Sequence, residues 1–141
     1  MTITWSSGTP IELMARIETR IHDFRATAGV ILGEIVKEAA IDQEAALNAA
    51  HTTTGEARMA ANGPGTAGRN RTGHMIGEIT SETHDEGDLL VGTWGWDNPE
   101  DYFIQQEYGT ARIAGAFSLY TSMIAASAKL DTRIRKALET F

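Results

Sequence analysis

Hydrophobic positions between residues 10 and 50 recur at alternating steps of three and four: Met14, Ile17, Ile21, Phe24, Ala28, Ile31 and Ile35. Val36, Ala39 and Ala46 broaden or continue the stripe. This spacing predicts one face of a helix packed against a partner along much of its length. Thr9-Pro10-Ile11-Glu12 supplies a start for it. Thr9 caps the first amides, Pro10 falls at the first helical position where an N–H is not needed, and Glu12 closes a capping box. A helix unbroken to residue 50 would span about 60 Å at 1.5 Å per residue. That exceeds what a small globular core covers, so part of the stripe is expected to meet a neighbouring subunit. The competing reading divides the helix near Gly29 or Gly33, or near Ile41-Asp42.

The pattern then changes. Residues 51–72 hold HTTTG and NGPGTAGRNRTG, a composition of glycine, asparagine and proline that predicts a loop. From Met75 to His84 the residues alternate in part, as a half-buried strand does. His84-Asp85-Glu86-Gly87-Asp88 is a turn sequence, and Leu89 to Trp96 predicts a second strand paired antiparallel to the first. Trp94 and Trp96 share a face of this hairpin (75–96), either packed under the long helix or anchoring a subunit contact. A short helix is expected over 99–108, capped by Asn98 or Asp97 with Pro99 at its first position and Gly109 just past its end. The final helix is expected over 116–138, with Lys129, Arg133, Arg135 and Lys136 suited to the negative end of the helix dipole. The fold class is therefore α+β: a long N-terminal helix, a small antiparallel sheet built around a central hairpin, a short helix and a C-terminal helix, in a single domain spanning 1–141.

Charge narrows the function. Twelve Lys and Arg stand against nineteen Asp and Glu, a net charge of −7. That balance argues against gripping the outside of a nucleic acid, which needs clustered positive charge. It is compatible with surrounding DNA without holding it. Arg58, Arg69 and Arg71 give the 51–72 loop local positive charge, too little to carry a nucleic-acid site. The chain has no cysteine, which removes disulfides and thiolate metal sites. No window approaches eighteen apolar residues, so no membrane span is expected. The first residues, MTITWSSGTPIELM, lack the basic start and apolar run of a secretory signal.

No constellation predicts catalysis or a metal. His74, Glu78, Glu82, His84, Asp85 and Asp88 form the most metal-like set, and His74, Glu78, Glu82 and His84 would share one face of an extended strand. Their spacing converges on no single ion, and HExxH and calcium-loop patterns are absent. There is no GxSxG elbow, and Gly63-Pro64-Gly65 lacks the phosphate-loop pattern. Glu107, just before Tyr108-Gly109-Thr110, reads as a structural acceptor that locks the turn, not as an acid catalyst. No catalytic residue, cofactor or metal site is assigned.

The ordered segments RTGHMIGEI, LLVGTWGW and YFIQQEYGT resemble the minor neck and tail-completion (head–tail joining) proteins of long, non-contractile-tailed bacteriophages. The residues carrying the resemblance are Thr72, Gly73, Ile76, Ile79, Val91, Gly92, Tyr102, Glu107, Gly109 and Thr110. It extends over residues 10–138, with its specific part in the middle forty. Gly-Arg-Asn-Arg precedes Thr72 where the family often has proline, and Ala114-Gly115 stands in place of another proline. The resemblance implies a structural virion protein, not an enzyme. Copies would form a ring around the DNA passage at the neck or tail top, after assembly in the host cytoplasm. Its partners would be further copies of itself, a head-side connector or stopper protein, and a tail terminator or tail-tube protein. A tail-tube terminator or another minor tail protein is the near alternative, and a cytosolic regulatory or toxin-like interaction protein the distant one. Thr72, Gly73, Trp94, Trp96, Tyr102, Glu107, Gly109 and Thr110 are the candidate structural and interface residues.

Overall fold

The capping box at Thr9 forms as its residue types dictate. The Thr9 amide donates to Glu12 Oε2 at 2.8 Å, and the Glu12 amide donates back to Thr9 Oγ1 at 3.3 Å. From there helix α1 runs Pro10–Ala49 as one element of 40 residues, with no division at Gly29, Gly33 or Ile41. The computed structural model describes residues 9–49, 74–110 and 113–141. The 51–72 loop, with Arg58, Arg69, Arg71, Thr72 and the Gly63-Pro64-Gly65 stretch, lies outside the described residues, as does Gly73.

After it come a single helical turn α2 (His74–Gly77), strands β1 (Ile79–Asp85) and β2 (Leu90–Trp96), helix α3 (Asp101–Tyr108), short strands β3 (Gly109–Thr110) and β4 (Ile113–Ala114), and helix α4 (Ser118–Leu138). The described elements thus form the expected α+β arrangement. β1 and β2 pair antiparallel, with Ile79 opposite Trp96, Ser81 opposite Trp94 and Asp85 opposite Leu90. β3 and β4 form a second, two-residue ladder.

Three boundaries differ from expectation. The first strand begins at Ile79, because Met75 to Gly77 coil into a turn that carries Met75 into a cluster with Leu47 and Phe103. His74 is consequently not on the strand, and the face it was expected to share with Glu78, Glu82 and His84 does not form. The short helix starts at Asp101 with Glu100 at its cap position, not at Pro99 under an Asn98 or Asp97 cap. The Asp97 amide is taken by the Glu78 carbonyl at 3.1 Å, which extends the hairpin and holds Asp97 out of helical geometry. The final helix starts at Ser118, since the Ala116 and Phe117 amides donate to the Gln106 and Glu107 carbonyls at 2.9 and 3.0 Å.

α4 lies antiparallel along the C-terminal half of α1, and the hairpin packs against both. Ile35, Ala39 and Ala126 form one buried cluster, closed by Ile31, Trp94 and Leu130. Leu47, Met75 and Phe103 form the other, closed by Ile76, Ile79, Trp96 and Ala116. The tryptophans thus share the inner face of the hairpin, and each joins a different cluster. Gly92, two residues before Trp94 on the same strand, faces α1 directly, and a Cβ there would collide with Val36. The glycine is what lets the sheet approach the helix so closely. Lys129 and Arg133 do not simply sit at the helix end. Lys129 reaches Asp42 at 2.9 Å and Glu38 at 3.3 Å, and Arg133 reaches Glu38 at 2.7 Å, so both brace α4 against α1.

Candidate interaction surface

Exposed apolar residues, several of which stand elsewhere (Val30, Ile41, Leu89 and Ile104 among them), line up or cluster at two places. The first is the N-terminal half of α1. Ile11, Met14, Ile17 and Ile21 are 81, 62, 49 and 62% exposed, although they belong to the same stripe that is buried at Ile35, Ala39 and Leu47. α4 and the residues after it reach α1 only as far as Arg20, whose guanidinium donates to the Phe141 main-chain oxygen, and Phe24, whose ring meets Phe141 edge-on at 5.6 Å. Upstream of that contact the stripe is left uncovered by the described residues. An aliphatic row of this length on a surface marks a binding face more often than it marks solvent exposure alone.

The second place is a cleft of about 370 Å³ between the end of α3 and the start of α4. Tyr108, Phe117, Leu119, Tyr120 and Met123 line it over Glu107. Its geometry follows from an unusual helix start. Phe117 occupies the cap position of α4 in the left-handed region, φ 50°, and has no oxygen with which to cap. Glu107 supplies the missing acceptor. Buried to 2% exposure, it accepts the Ser118 amide at 2.9 Å and the Ser118 hydroxyl at 2.6 Å on Oε2, and the Leu119 amide at 2.8 Å on Oε1. A carboxylate at a helix N-terminus also meets the positive end of the dipole. Glu107 is an acceptor, as expected, but it locks the start of α4 and not the Tyr108-Gly109-Thr110 turn. Gly109 ends α3 with φ 85°, and its amide returns to the Gln105 carbonyl. Gly115 lets the chain return past α3, for a Cβ there would stand 2.7 Å from the Glu107 carbonyl.

The other sequence candidates are placed as follows. Trp94 donates its indole N–H to Ser122 Oγ at 2.9 Å, and Trp96 donates to the Met75 carbonyl at 2.9 Å. Both indoles are thus engaged within the chain. Tyr102 packs edge-on against Phe103 at 4.7 Å, and burial, then the Glu100 charge, pushes its phenol above the ordinary value. Thr110 pairs with Ile113 in the small ladder. The structure brings Glu107, Gly109 and Thr110 together at the α3–α4 junction, and the two tryptophans together under the helices. Sequence reasoning missed the Phe117–Ser118 junction. The signal available was the absence of a capping side chain before FSLY.

A further cleft, about 510 Å³, separates α1 from the hairpin tip and is lined by His22, Arg25, Leu32, Thr83, His84 and Asp85. Arg25 bridges it to Asp85. That hydrogen bond, with the Gly87 amide second, holds the Asp85 carboxyl below its ordinary range. His84 faces Glu82 at 3.1 Å, and His74 faces Glu100 at 2.7 Å. Among the described residues, no three His, Asp or Glu are grouped to hold a metal ion. No described helix is long and apolar enough to cross a membrane. No family model, curated protein or solved structure matches the chain.

Proposed function

We propose that this chain is a structural subunit of the head–tail junction or tail top of a long-tailed bacteriophage, and that it assembles with its own copies into a ring around the DNA passage. The observation that carries the reading is the uncovered stripe Ile11-Met14-Ile17-Ile21 on a helix too long for its own body. It is supported by the order of the RTGHMIGEI, LLVGTWGW and YFIQQEYGT segments and by the hydrogen bonds through which Glu107 serves the start of α4 as a structural acceptor. The work of such a subunit is binding: self-association, contact with a head-side connector or stopper, and contact with a terminator or tube protein. No cofactor enters this reading. Cryo-electron microscopy of particles after deletion and complementation of the chain tests it. Density for the chain at the neck or tail top, with unjoined heads and tails on deletion, is the expected result. Normal joined particles lacking the chain would remove the proposal.

A further inference from the structure

β1 is the outer strand of the hairpin. β2 lies towards the helices, where Trp94 bonds Ser122 and a Cβ on Gly95 would meet Leu119 of α4. β1 has no second strand beside it among the described residues, and every residue from Thr80 to Asp85 is exposed. The register fixes which of its backbone groups are free. The Asp97 amide donates to the Glu78 carbonyl and the Glu86 amide to the Leu89 carbonyl, one such bond at each end of the ladder. Bonded pairs alternate along an antiparallel ladder. Thr80, Glu82 and His84 therefore bond to β2, and Ser81, Thr83 and Asp85 turn their N–H and C=O groups to the open edge. Lysine, proline or a bulge guards many strand edges. β1 has none of these: its sequence is ITSETHD, and it pairs with β2 one residue to one throughout.

A strand laid against this edge must bond to the same three residues, which restricts the register. A second β1 running antiparallel, with Thr83 on the twofold axis, pairs Thr83 with Thr83 and Ser81 with Asp85 through the backbone. Between those pairs Glu82 of each copy stands opposite His84 of the other, carboxylate to imidazole. His84 also meets Glu82 of its own chain at 3.1 Å, so the axis gathers two carboxylates and two imidazoles. Glu86 falls opposite Thr80, and Arg25 already neutralises Asp85 from the α1 side. Glu78 and Asp88 fall opposite one another beyond the strand, where the chain turns away into α2 and the hairpin loop. An axis at Glu82 sets Glu82 against itself, and an axis at His84 sets His84 against itself. An axis at Ser81 loses the Glu82–His84 pairs and runs Asp85 into α2.

We infer that two copies of this chain pair through β1, edge to edge and antiparallel about Thr83, to make a four-stranded sheet in the order β2-β1-β1-β2. The backbone bonds set the register, and the Glu82–His84 pairs select a second copy over another extended segment. A twofold contact joins two copies and stops. The inference therefore concerns the free protein and does not rest on the ring reading.

Sedimentation of the wild-type chain across micromolar concentrations is expected to show a monomer–dimer equilibrium. Thr83→Pro removes an amide that β2 does not use, so this variant is expected to keep its circular dichroism spectrum and sediment as a monomer. His84→Glu sets like charges across the axis and is expected to weaken the dimer about ten-fold, and the exchange Glu82→His with His84→Glu to restore it. The chain has no cysteine, so an added pair reports distance directly. Bonded residues of an antiparallel pair stand about 5.5 Å apart between Cα atoms, within the reach of a disulfide. Thr83→Cys is accordingly expected to give a linked dimer on mild oxidation, and Thr80→Cys, opposite Glu86, to give none. A wild-type chain that stays monomeric throughout, or a dimer that survives Thr83→Pro unchanged, would overturn the inference. Should Thr83→Pro unfold the hairpin, the charge exchange decides, and a double variant no stronger than His84→Glu alone would overturn it.

Discussion

The two halves of α1 carry the same periodicity and meet different fates. In the C-terminal half, Ile35, Val36, Ala39 and Leu47 are at most 2% exposed under α4 and the hairpin. In the N-terminal half, Ile11, Met14, Ile17 and Ile21 stand in solvent. Nothing in the local pattern distinguishes them, because a three-four spacing encodes a face that wants a partner without encoding which partner. The difference arises from how far the rest of the chain extends. Where α4 and the hairpin run out, the stripe continues.

The sharpest way to break this comparison is to truncate one residue in each half. Leu47→Ala is expected to cost about 2–5 kcal/mol of folding stability, since it opens the cluster with Met75 and Phe103. Ile17→Ala is expected to change the stability of the monomer by no more than about 0.5 kcal/mol. Denaturant unfolding at low protein concentration checks both. Equal losses would mean that the N-terminal half is already packed in the isolated chain.

Glu107→Ala comes next, at about 2–3 kcal/mol, because the buried Ser118 amide and hydroxyl and the half-buried Leu119 amide lose their acceptor together. Glu107→Gln is expected to recover only part of this, as its NH2 group would face a donor. A thermal shift equal to that of wild type for the alanine variant would remove Glu107 from the account of α4. The effect belongs to the body of the molecule, so the exposed half of α1 should keep its helicity by circular dichroism.

A third substitution runs the other way. Gln43 lies in the buried half of α1, is fully buried, and its side-chain amide finds no hydrogen-bond partner among the described residues. Gln43→Leu is expected to stabilise the fold by about 1 kcal/mol, raising the unfolding midpoint. A lowered midpoint would show that the amide is satisfied in solution.

The smallest effect is that of pH. Glu38 is held below its ordinary value of 4.5, first by its hydrogen bond to Arg133, and Asp85 below 3.8, first by Arg25. A carboxyl whose folded pKa is depressed adds stability that is full above the unfolded value and is lost as pH falls through the folded one. Lys129, raised above 10.5 by Asp42 first, adds stability below that value and loses it at still higher pH. The clamps that tie α4 and the hairpin tip to α1 should therefore weaken modestly in acid, and the Lys129 clamp again in strong alkali. Charge-neutral variants at Glu38 should flatten the acid limb of a melting-temperature profile.

How much of this was legible in the sequence depends on how local the cause was. The Thr9–Glu12 box and the 40-residue helix follow from neighbours in the chain, and both formed. The hairpin followed from its turn residues, where Gly87 adopts φ 82° and its amide bonds Asp85 Oδ1. The start of β1 was misread because Met75, Ile76 and Ile79 satisfy helical and strand spacing alike, and the tertiary pull of Leu47 and Phe103 decides between them. The starts of α3 and α4 were misread because their deciding hydrogen bonds, Asp97 to Glu78 and Phe117 to Glu107, come from residues ten or more positions away. The carboxylate at 107 was legible as structural, but the amides it serves were not.

That carboxylate also bears on the order in which the molecule forms. α4 begins at a phenylalanine whose side chain offers no acceptor to the Ser118 and Leu119 amides, so its first turn is completed only when α3 has folded and turned Glu107 towards it. An eight-residue helix has little stability alone, and the longer one lacks a proper beginning. Each supplies what the other needs. The two helices should therefore appear and disappear as one cooperative unit, with the Ser118 and Leu119 amides exchanging with solvent at the rate at which α3 detaches.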